Sequence, residues 1–333
     1  MIIDAHLHCT GRESTDDVLR ALDEAGIEHA VLLAPFLDAP FSLDNPASLR
    51  TANAYLSLLV RGHEDRLSGF AVVDPSDANA PRDLRDAIEG LGLRGAKMVP
   101  RGWSADEPRV QPTFAVAAEL ELPLLFHSGI FIDGRSGRFC RPALFEPLRD
   151  HRGVRVALAH LGWPWTDEAI AVGLIDRIHG VPYDDAVFRF DISFGPPPPY
   201  RFEVLRRAVD VLGCGALQFG SDCFLPCSGA QLAERVGWVR ELVDALALPR
   251  DERERLWHGT AAAWLRRRPF DTSGRTDGGS GRTGDESVRA EVSKPFDSAE
   301  TSPPSRPSSL LSRRGTWALA CTGTGRDGAR GCC

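Results

Sequence analysis

The length, composition and charge of this chain exclude several classes of protein. The sequence has 333 residues, of which 43% are hydrophobic and 26% are charged, and its formal net charge is −7. A large core is therefore available, whereas the basic surface of a nucleic-acid-binding protein is not expected. No apolar run approaches the length of a membrane span, and the chain begins in a strand-like segment rather than in a signal-peptide pattern. We expect a cytoplasmic globular protein with neither a membrane nor a nucleic acid as partner.

Residues 1–267 alternate short apolar runs with longer amphipathic stretches. The short runs indicate strands and the longer stretches indicate helices. The first helix has clear end signals, because Ser14 or Thr15 stands at its N-cap position and Gly26 stands where it ends. The stretch PALFEPLRDH is predicted as the helix after the fifth strand. The eight predicted strands are MIIDAHL, EHAVLLA, LSGFAVVD, RGAKMVP, PLLFHSG, VRVALAH, VFRFDIS and ALQFGSD.

This order of elements predicts an α/β fold, a single-domain (β/α)₈ TIM barrel over residues 1–267. Most strands are apolar throughout, which is typical of parallel strands covered on both faces. A doubly wound open sheet is the alternative, because periodicity does not reveal strand order. Gly, Ser, Pro, Thr and Arg dominate residues 268–333, which we expect to form a disordered, low-complexity tail.

Two histidines, His6 and His8, end the first predicted strand. Side chains at positions i and i+2 share one face of a strand, so we expect both imidazoles to point the same way, together with Ile2 and Asp4. A single His-x-His pair is a weak indication of a metal site, because such pairs also occur by chance.

Polar side chains also stand at the ends of other predicted strands, which is where a (β/α)₈ barrel carries its active site. Lys97 lies on strand four, His127 and His160 end strands five and six, and Asp222 ends strand eight. Imidazole nitrogens and a carboxylate oxygen are the ligands of a catalytic zinc or a similar divalent ion. The set therefore predicts a metal site at the mouth of the barrel.

The same residues, His6-x-His8, His127, His160 and Asp222, carry a family resemblance, together with the closing segment WHGTAAAWL. Residues 1–266 resemble the metal-dependent amidohydrolase superfamily, and within it the amidohydrolase 2 branch that includes aminocarboxymuconate-semialdehyde decarboxylase. The resemblance implies that one divalent ion is held by four side chains, namely His6, His8, His127 and Asp222. It also implies that His160 acts on the bound water or the substrate as a general acid/base or as an orienting group. In hydrolysis we expect Asp222 or His160 to take up the proton of the water and one of them to return it to the leaving group. Zinc is the expected ion, with manganese or iron as alternatives.

The role of Lys97 stays open at this point. In binuclear members of the superfamily a carboxylated lysine of strand four bridges two metals. A plain ammonium at Lys97 would instead contact a substrate carboxylate or lie at the barrel rim. We favour a single metal.

Loops after the strands offer candidate substrate contacts at Arg101, Arg138 and Trp163. Guanidinium groups near a metal indicate an anionic small molecule, most simply a carboxylate. The alternative is that these arginines are solvated or pair with nearby acids. Asp191 and Ser193 follow strand seven and receive no predicted role.

These observations predict a metal-dependent hydrolase that acts on an amide, ester or lactone of a small organic acid through activated water. A non-oxidative decarboxylase of an unsaturated or aromatic acid is the first alternative, because it would use the same ligands. A non-catalytic metal-binding scaffold barrel is the second. A homodimer is compatible with the sequence, although no exposed apolar helix face predicts one.

Overall fold

The computed structural model describes residues 1–193 and 195–266, and the predicted tail lies outside them. The described residues form nine strands, every pair of which is parallel, in the spatial order β8-β7-β6-β5-β4-β3-β2-β1-β9. The strands are β1 (Ile3–His8), β2 (His29–Leu33), β3 (Leu67–Val72), β4 (Gly95–Met98), β5 (Pro123–Phe126), β6 (Arg155–Leu158), β7 (Phe188–Asp191), β8 (Leu217–Gln218) and β9 (Cys223–Phe224).

The sheet curls until its two ends meet. The backbone N–H of Ala5 in β1 donates to the carbonyl of Phe219, just beyond β8, at 3.0 Å. The N–H of Asp222 donates to the carbonyl of His6 at 2.8 Å. These bonds close the sheet, so the predicted TIM barrel is confirmed and the open-sheet alternative is wrong.

Among the described residues, six α-helices lie between strands along the chain and three follow the last strand. They are α1 (Thr15–Ala25), α2 (Pro46–Val60), α3 (Ala80–Arg85), α4 (Gln111–Glu119), α5 (Thr166–Ile178), α6 (Pro198–Leu212), α7 (Gly229–Ala245), α8 (Arg250–Glu254) and α9 (Thr260–Leu265). The predicted ends of α1 are confirmed, because the Ser14 side chain accepts from the N–H of Asp17 and Gly26 has a φ of 70°. None of these helices has the length and hydropathy needed to cross a bilayer.

Two predicted elements differ from the structure. The stretch after β5 is a 3₁₀ segment, Pro142–Asp150, rather than an α-helix, since Pro147 inside it lacks the N–H that an α-helical turn needs. The eighth strand ends at Gln218, and the chain rejoins the sheet as β9 after a turn in which Asp222 has a φ of 54°.

The interior of the barrel is filled at its amino-terminal end. Ile3, Val31, Phe70 and Leu125 form an inner apolar cluster with the buried indole of Trp264 from α9. The Trp264 ring lies 5.1 Å from that of Phe70, and its Nε1 donates to the Arg155 carbonyl at 2.9 Å. This packing leaves the carboxyl ends of the strands as the free end of the barrel.

Strand β1 contains a bulge that the periodicity does not reveal. Its register against β2 shifts between Asp4 and Leu7, so that Ala5 and His6 both face inwards opposite Val31. The prediction that Asp4 shares a face with the two histidines is wrong for this reason. The Asp4 carboxylate instead accepts the His6 N–H at 3.0 Å, which is a donor that the bulge removes from the ladder.

Candidate metal centre

Three side chains converge at the carboxyl end of the barrel, where β1 and β9 lie side by side. The Nε2 atoms of His6 and His8 are 3.0 Å apart. Asp222 Oδ1 lies 3.3 Å from His6 Nε2 and 3.1 Å from His8 Nε2. All three residues are buried. The bulge in β1 gives His6 this position, and the pleat that follows it puts His8 on the same side.

Behind this cluster, Asp191 at the end of β7 fixes the ring of His6. Its Oδ2 lies 2.5 Å from His6 Nδ1, and both side chains are fully buried. A carboxylate at Nδ1 holds the ring proton there and leaves Nε2 as a lone pair directed at His8 and Asp222. No role was predicted for Asp191 from the sequence. The sequence signal that could have indicated a role in the site is the position of Asp191 at the carboxyl end of a predicted strand.

His127 and His160 lie on the other side of the mouth. Their ring centroids are 5.3 Å apart, and the His160 ring is 5.5 Å from that of His6. His160 Nδ1 is 2.8 Å from the Ser193 hydroxyl, a partner that was also missed. His127 stacks on Phe131 at 4.4 Å. It is not within the tight group formed by His6, His8 and Asp222.

Lys97 on β4 points into the same space. Its side chain is 1% exposed, and Nζ lies 3.4 Å from His6 Nε2. The expectation of a residue extending to solvent at the barrel rim is wrong, because β4 directs the side chain inwards below the mouth. A bridging role and a substrate-contacting role both stay predictions.

Burial sets the charge of these groups. Desolvation lowers the pKa of His8 and of His160 to about 4, and it lowers the pKa of His127 further. Burial alone would raise the pKa of Asp222, but His6, His160 and His8 outweigh it and the net shift is downwards. The imidazoles of His8, His127 and His160 are therefore neutral near pH 7 and the Asp222 carboxylate is ionised, which are the protonation states that a metal ion requires of its ligands.

Backbone strain collects at the same place. His160, Leu161 and Asp222 have φ values of 61°, 49° and 54°, in the left-handed region that residues other than glycine rarely adopt. Such residues persist only where their surroundings hold them, and they cluster at functional sites. The strain therefore agrees with a functional role for this end of the barrel.

Comparison with known proteins decides the family. A family model described as Amidohydrolase (Amidohydro_2) matches residues 3–267. The chain belongs to this amidohydrolase family. The resemblance inferred from the histidines and Asp222 is thus confirmed, and the family points to a metal-dependent enzyme.

Solved structures with the same fold include three of particular interest. The 5-carboxyvanillate decarboxylase LigW from Sphingomonas paucimobilis is 19% identical (TM-score 0.57; 79% of this chain and 98% of that one). A probable 2-pyrone-4,6-dicarboxylic acid hydrolase from Acinetobacter baumannii is 16% identical (TM-score 0.53; 79% of this chain and 98% of that one). A dihydroxybenzoic acid decarboxylase from Polaromonas sp. JS666, with bound manganese and the inhibitor 2-nitroresorcinol, is also 16% identical (TM-score 0.54; 79% of this chain and 96% of that one). A search of curated proteins gives no match.

The donor atoms of this amidohydrolase fit a divalent ion. Tetrahedral ligands roughly 2.1 Å from one ion lie roughly 3.4 Å from one another, close to the 3.0 to 3.3 Å measured among the three converging atoms. Two buried nitrogens, His8 Nδ1 and His127 Nε2, have no hydrogen-bond partner among the described residues. An unsatisfied imidazole nitrogen is costly in a protein interior, and coordination of His127 Nε2 would remove that cost.

The predicted substrate contacts of the amidohydrolase lie apart from this cluster. Arg101 forms an ion pair with Asp44 at 2.8 Å. Arg138 is exposed, and its guanidinium lies 4.5 Å from the ring centre of Phe139. Trp163 is half-buried, and its N–H donates to the His160 carbonyl at 3.0 Å. The ion pair at Arg101 and the exposure of Arg138 match the alternative stated for these arginines, and a role in substrate binding stays a prediction.

Proposed function

We propose that this amidohydrolase is a metal-dependent hydrolase of an amide, ester or lactone of a small organic acid. The observation that carries the proposal is the convergence of His6, His8 and Asp222, with Asp191 fixing the ring of His6. In this proposal the three converging side chains hold one divalent ion, and His127 is its fourth ligand. Zinc is the proposed ion on the basis of the nitrogen-rich donor set. Manganese, which is bound in the similar Polaromonas structure, and iron are the alternatives.

A bound divalent ion would supply Lewis acidity, which polarises a carbonyl and acidifies water. Asp222 is ionised and can therefore accept the proton that the attacking water releases. His160 is neutral, and Ser193 at Nδ1 fixes its ring, so that Nε2 can hold a proton for the leaving group. Lys97, buried beside His6, is proposed to contact a substrate carboxylate through its ammonium group.

Non-oxidative decarboxylation is the second candidate. It is supported by the decarboxylases among the structures with a similar fold. The same residues would then act differently, since Asp222 or His160 would deliver a proton to the carbon that loses its carboxylate. The two reactions differ in their products, because hydrolysis incorporates oxygen from water and decarboxylation releases carbon dioxide.

Metal content of the full chain, purified without chelator, tests the proposed centre. We expect about one equivalent in the wild type, none in Asp222→Ala, and wild-type content in Asp210→Ala, which changes an exposed aspartate of α6. Two equivalents would instead assign Lys97 the bridging role. An absence of metal after resupply to a folded protein would overturn the proposal.

Turnover then separates the candidate reactions. Carboxylates, amides, esters and lactones are incubated with the metal-loaded enzyme in ¹⁸O-labelled water, and products are analysed by mass spectrometry together with released carbon dioxide. Label in the product supports hydrolysis, whereas carbon dioxide without label supports the decarboxylase. Full metal content with no turnover of either kind would support the scaffold alternative.

A further inference from the structure

Four imidazoles at the carboxyl end of the barrel are held by two different kinds of contact. The last torsion of a histidine side chain has broad minima, so the plane of the ring depends on its neighbours. Hydrogen bonds fix two of the rings, those of His6 and His160, through the Asp191 carboxylate and the Ser193 hydroxyl. The other two rings instead lie nearly flat against the rings of phenylalanines.

The ring of His8 shows the second kind of contact most clearly. Phe224 stacks on it with the ring centroids 4.7 Å apart and the two planes within 7° of parallel. Phe36 packs against the same imidazole at 5.5 Å. The buried Nδ1 of His8 has no hydrogen-bond partner among the described residues. Contact with phenyl rings, rather than a hydrogen bond at Nδ1, therefore restrains the plane of this imidazole.

The register of the sheet places Phe224 beside His8. The two residues are direct partners in the parallel pair of β1 and β9, and the N–H of Leu225 donates to the His8 carbonyl at 2.8 Å. Paired residues of neighbouring strands have their side chains on the same side of the sheet. Phe224 also follows Asp222 by two residues. One short segment thus supplies a candidate ligand of the ion and the support of another ligand.

The ring of His127 receives the same kind of contact from the loop after β5. Phe131 stacks on it at 4.4 Å, with the planes 18° apart, and is 5% exposed. The neighbouring N–H of Ile130 donates to the Trp163 carbonyl at 3.1 Å, which ties this part of the loop to the barrel. The guanidinium carbon of Arg135 lies 4.8 Å from the centre of the Phe131 ring. The loop therefore holds Phe131 in place against the imidazole.

We propose that Phe224 and Phe131 are positioning residues of the candidate metal centre. Their ring faces fix the imidazole planes of His8 and His127, and so direct one ring nitrogen of each towards the ion. The face of a phenyl ring orients an imidazole without a hydrogen-bonding group that would compete for the lone pair of a ligand nitrogen. The part that concerns the ion rests on the proposed function, whereas the restraint on the rings is a property of the metal-free chain.

Metal affinity of the full chain, measured by competition with a chromophoric chelator, is the first test. Phe224→Leu and Phe131→Leu remove the flat ring and keep much of the apolar volume. We expect each to bind the metal about 2- to 10-fold more weakly, since stacked aromatic pairs contribute on that scale. Phe224→Tyr keeps the ring and should retain wild-type affinity. Phe114→Leu is the matched control, because it changes a fully buried phenylalanine of α4 and should also retain wild-type affinity.

Relaxation of ¹³C-labelled histidine rings in the metal-free full chain gives a readout that a loss of packing elsewhere would not move. We expect the His8 ring to become more mobile in Phe224→Leu and the His127 ring in Phe131→Leu. Each variant should leave the other histidine unchanged, and Phe114→Leu should leave both unchanged. Thermal melting checks that the variants are folded. If Phe131→Leu does not fold, Phe131→Met takes its place, since it fills more of the volume without a flat face.

The outcomes separate this inference from the proposed function. Wild-type metal affinity in both Leu variants, or unchanged mobility of both rings, would show that the positioning role is wrong even where metal and turnover are present. An equal loss of metal in Phe114→Leu would assign the effect to general packing and would also overturn the proposal. If the rings gain mobility as expected but the wild type binds no metal, the restraint on the rings stands and the proposed function fails.

Discussion

Replacing Asp191 by asparagine tests whether this carboxylate prepares His6 for metal binding. Asp191 Oδ1 accepts the N–H of Ser193, while Oδ2 faces His6 Nδ1 at 2.5 Å. In Asp191→Asn the carbonyl oxygen can keep the bond to Ser193, which turns the amide NH₂ towards His6. The amide NH₂ favours the His6 tautomer that carries its proton on Nε2. This tautomer cannot bind a metal through Nε2, because the nitrogen no longer has a free lone pair. The opposite amide orientation places two donors against each other at Ser193.

Loss of a carboxylate behind a ligating histidine lowers metal affinity by about 10- to 100-fold, or about 1.4 to 2.7 kcal/mol. Because both side chains are fully buried, solvent cannot replace the lost interaction, and we expect the upper half of that range. The assay is competition with a chromophoric chelator for the metal. Asp176→Asn is the matched control, since Asp176 is equally a buried aspartate but pairs with Arg149. Wild-type affinity in Asp191→Asn would refute the reasoning.

Three further predictions follow from the same structure. Chelation of a metal held at about 100 times its Kd should lower the free energy of unfolding by about 3 kcal/mol, visible in calorimetry as a lower Tm, and should not affect Asp222→Ala. Gly220→Ala should reduce bound metal, because its Cβ would lie 2.8 Å from that of His6. Full metal content in Gly220→Ala would contradict this prediction. Gly237→Ala is the control: the added Cβ has open space within α7, so this variant should keep its metal and raise the free energy of unfolding by about 0.5 to 1 kcal/mol in urea titration. Trp264→Ala should destabilise the barrel by about 3 to 5 kcal/mol, and a loss below about 1 kcal/mol would show that the indole does not close the barrel interior.

The order of elements could be predicted because each segment carries its own signal. Apolar strands alternate with amphipathic helices, and the ends of α1 are marked by Ser14 and Gly26. The secondary structure of stretches that contain proline or glycine was harder to predict. The 3₁₀ segment Pro142–Asp150 and the early end of β8 both depend on local backbone conformations that hydrophobic periodicity does not report.

The candidate site was predictable where it depends on residue type at a strand end. His6, His8 and Asp222 fall into that class, and the structure brings their side chains together. Asp191 and Ser193 were not assigned because their roles arise from contacts with His6 and His160, and these contacts join residues far apart in the chain. Arg201 of α6 and Arg235 of α7 both stack on Trp238, and only the packing of the two helices reveals this proximity.

The site is built from departures from regular geometry rather than from the regular pleat. The bulge in β1 turns His6 inwards, and a left-handed turn at Asp222 directs its carboxylate towards both histidines. An Ala at position 222 would remove the carboxylate and also disfavour that φ of 54°, whereas Asn tolerates the left-handed region. Asp222→Asn therefore separates the chemistry of the carboxylate from the strain of the backbone. If Asp222→Asn keeps the backbone conformation at the carboxyl end of the barrel but loses the metal, the backbone strain serves to position a ligand and is not itself the source of metal binding.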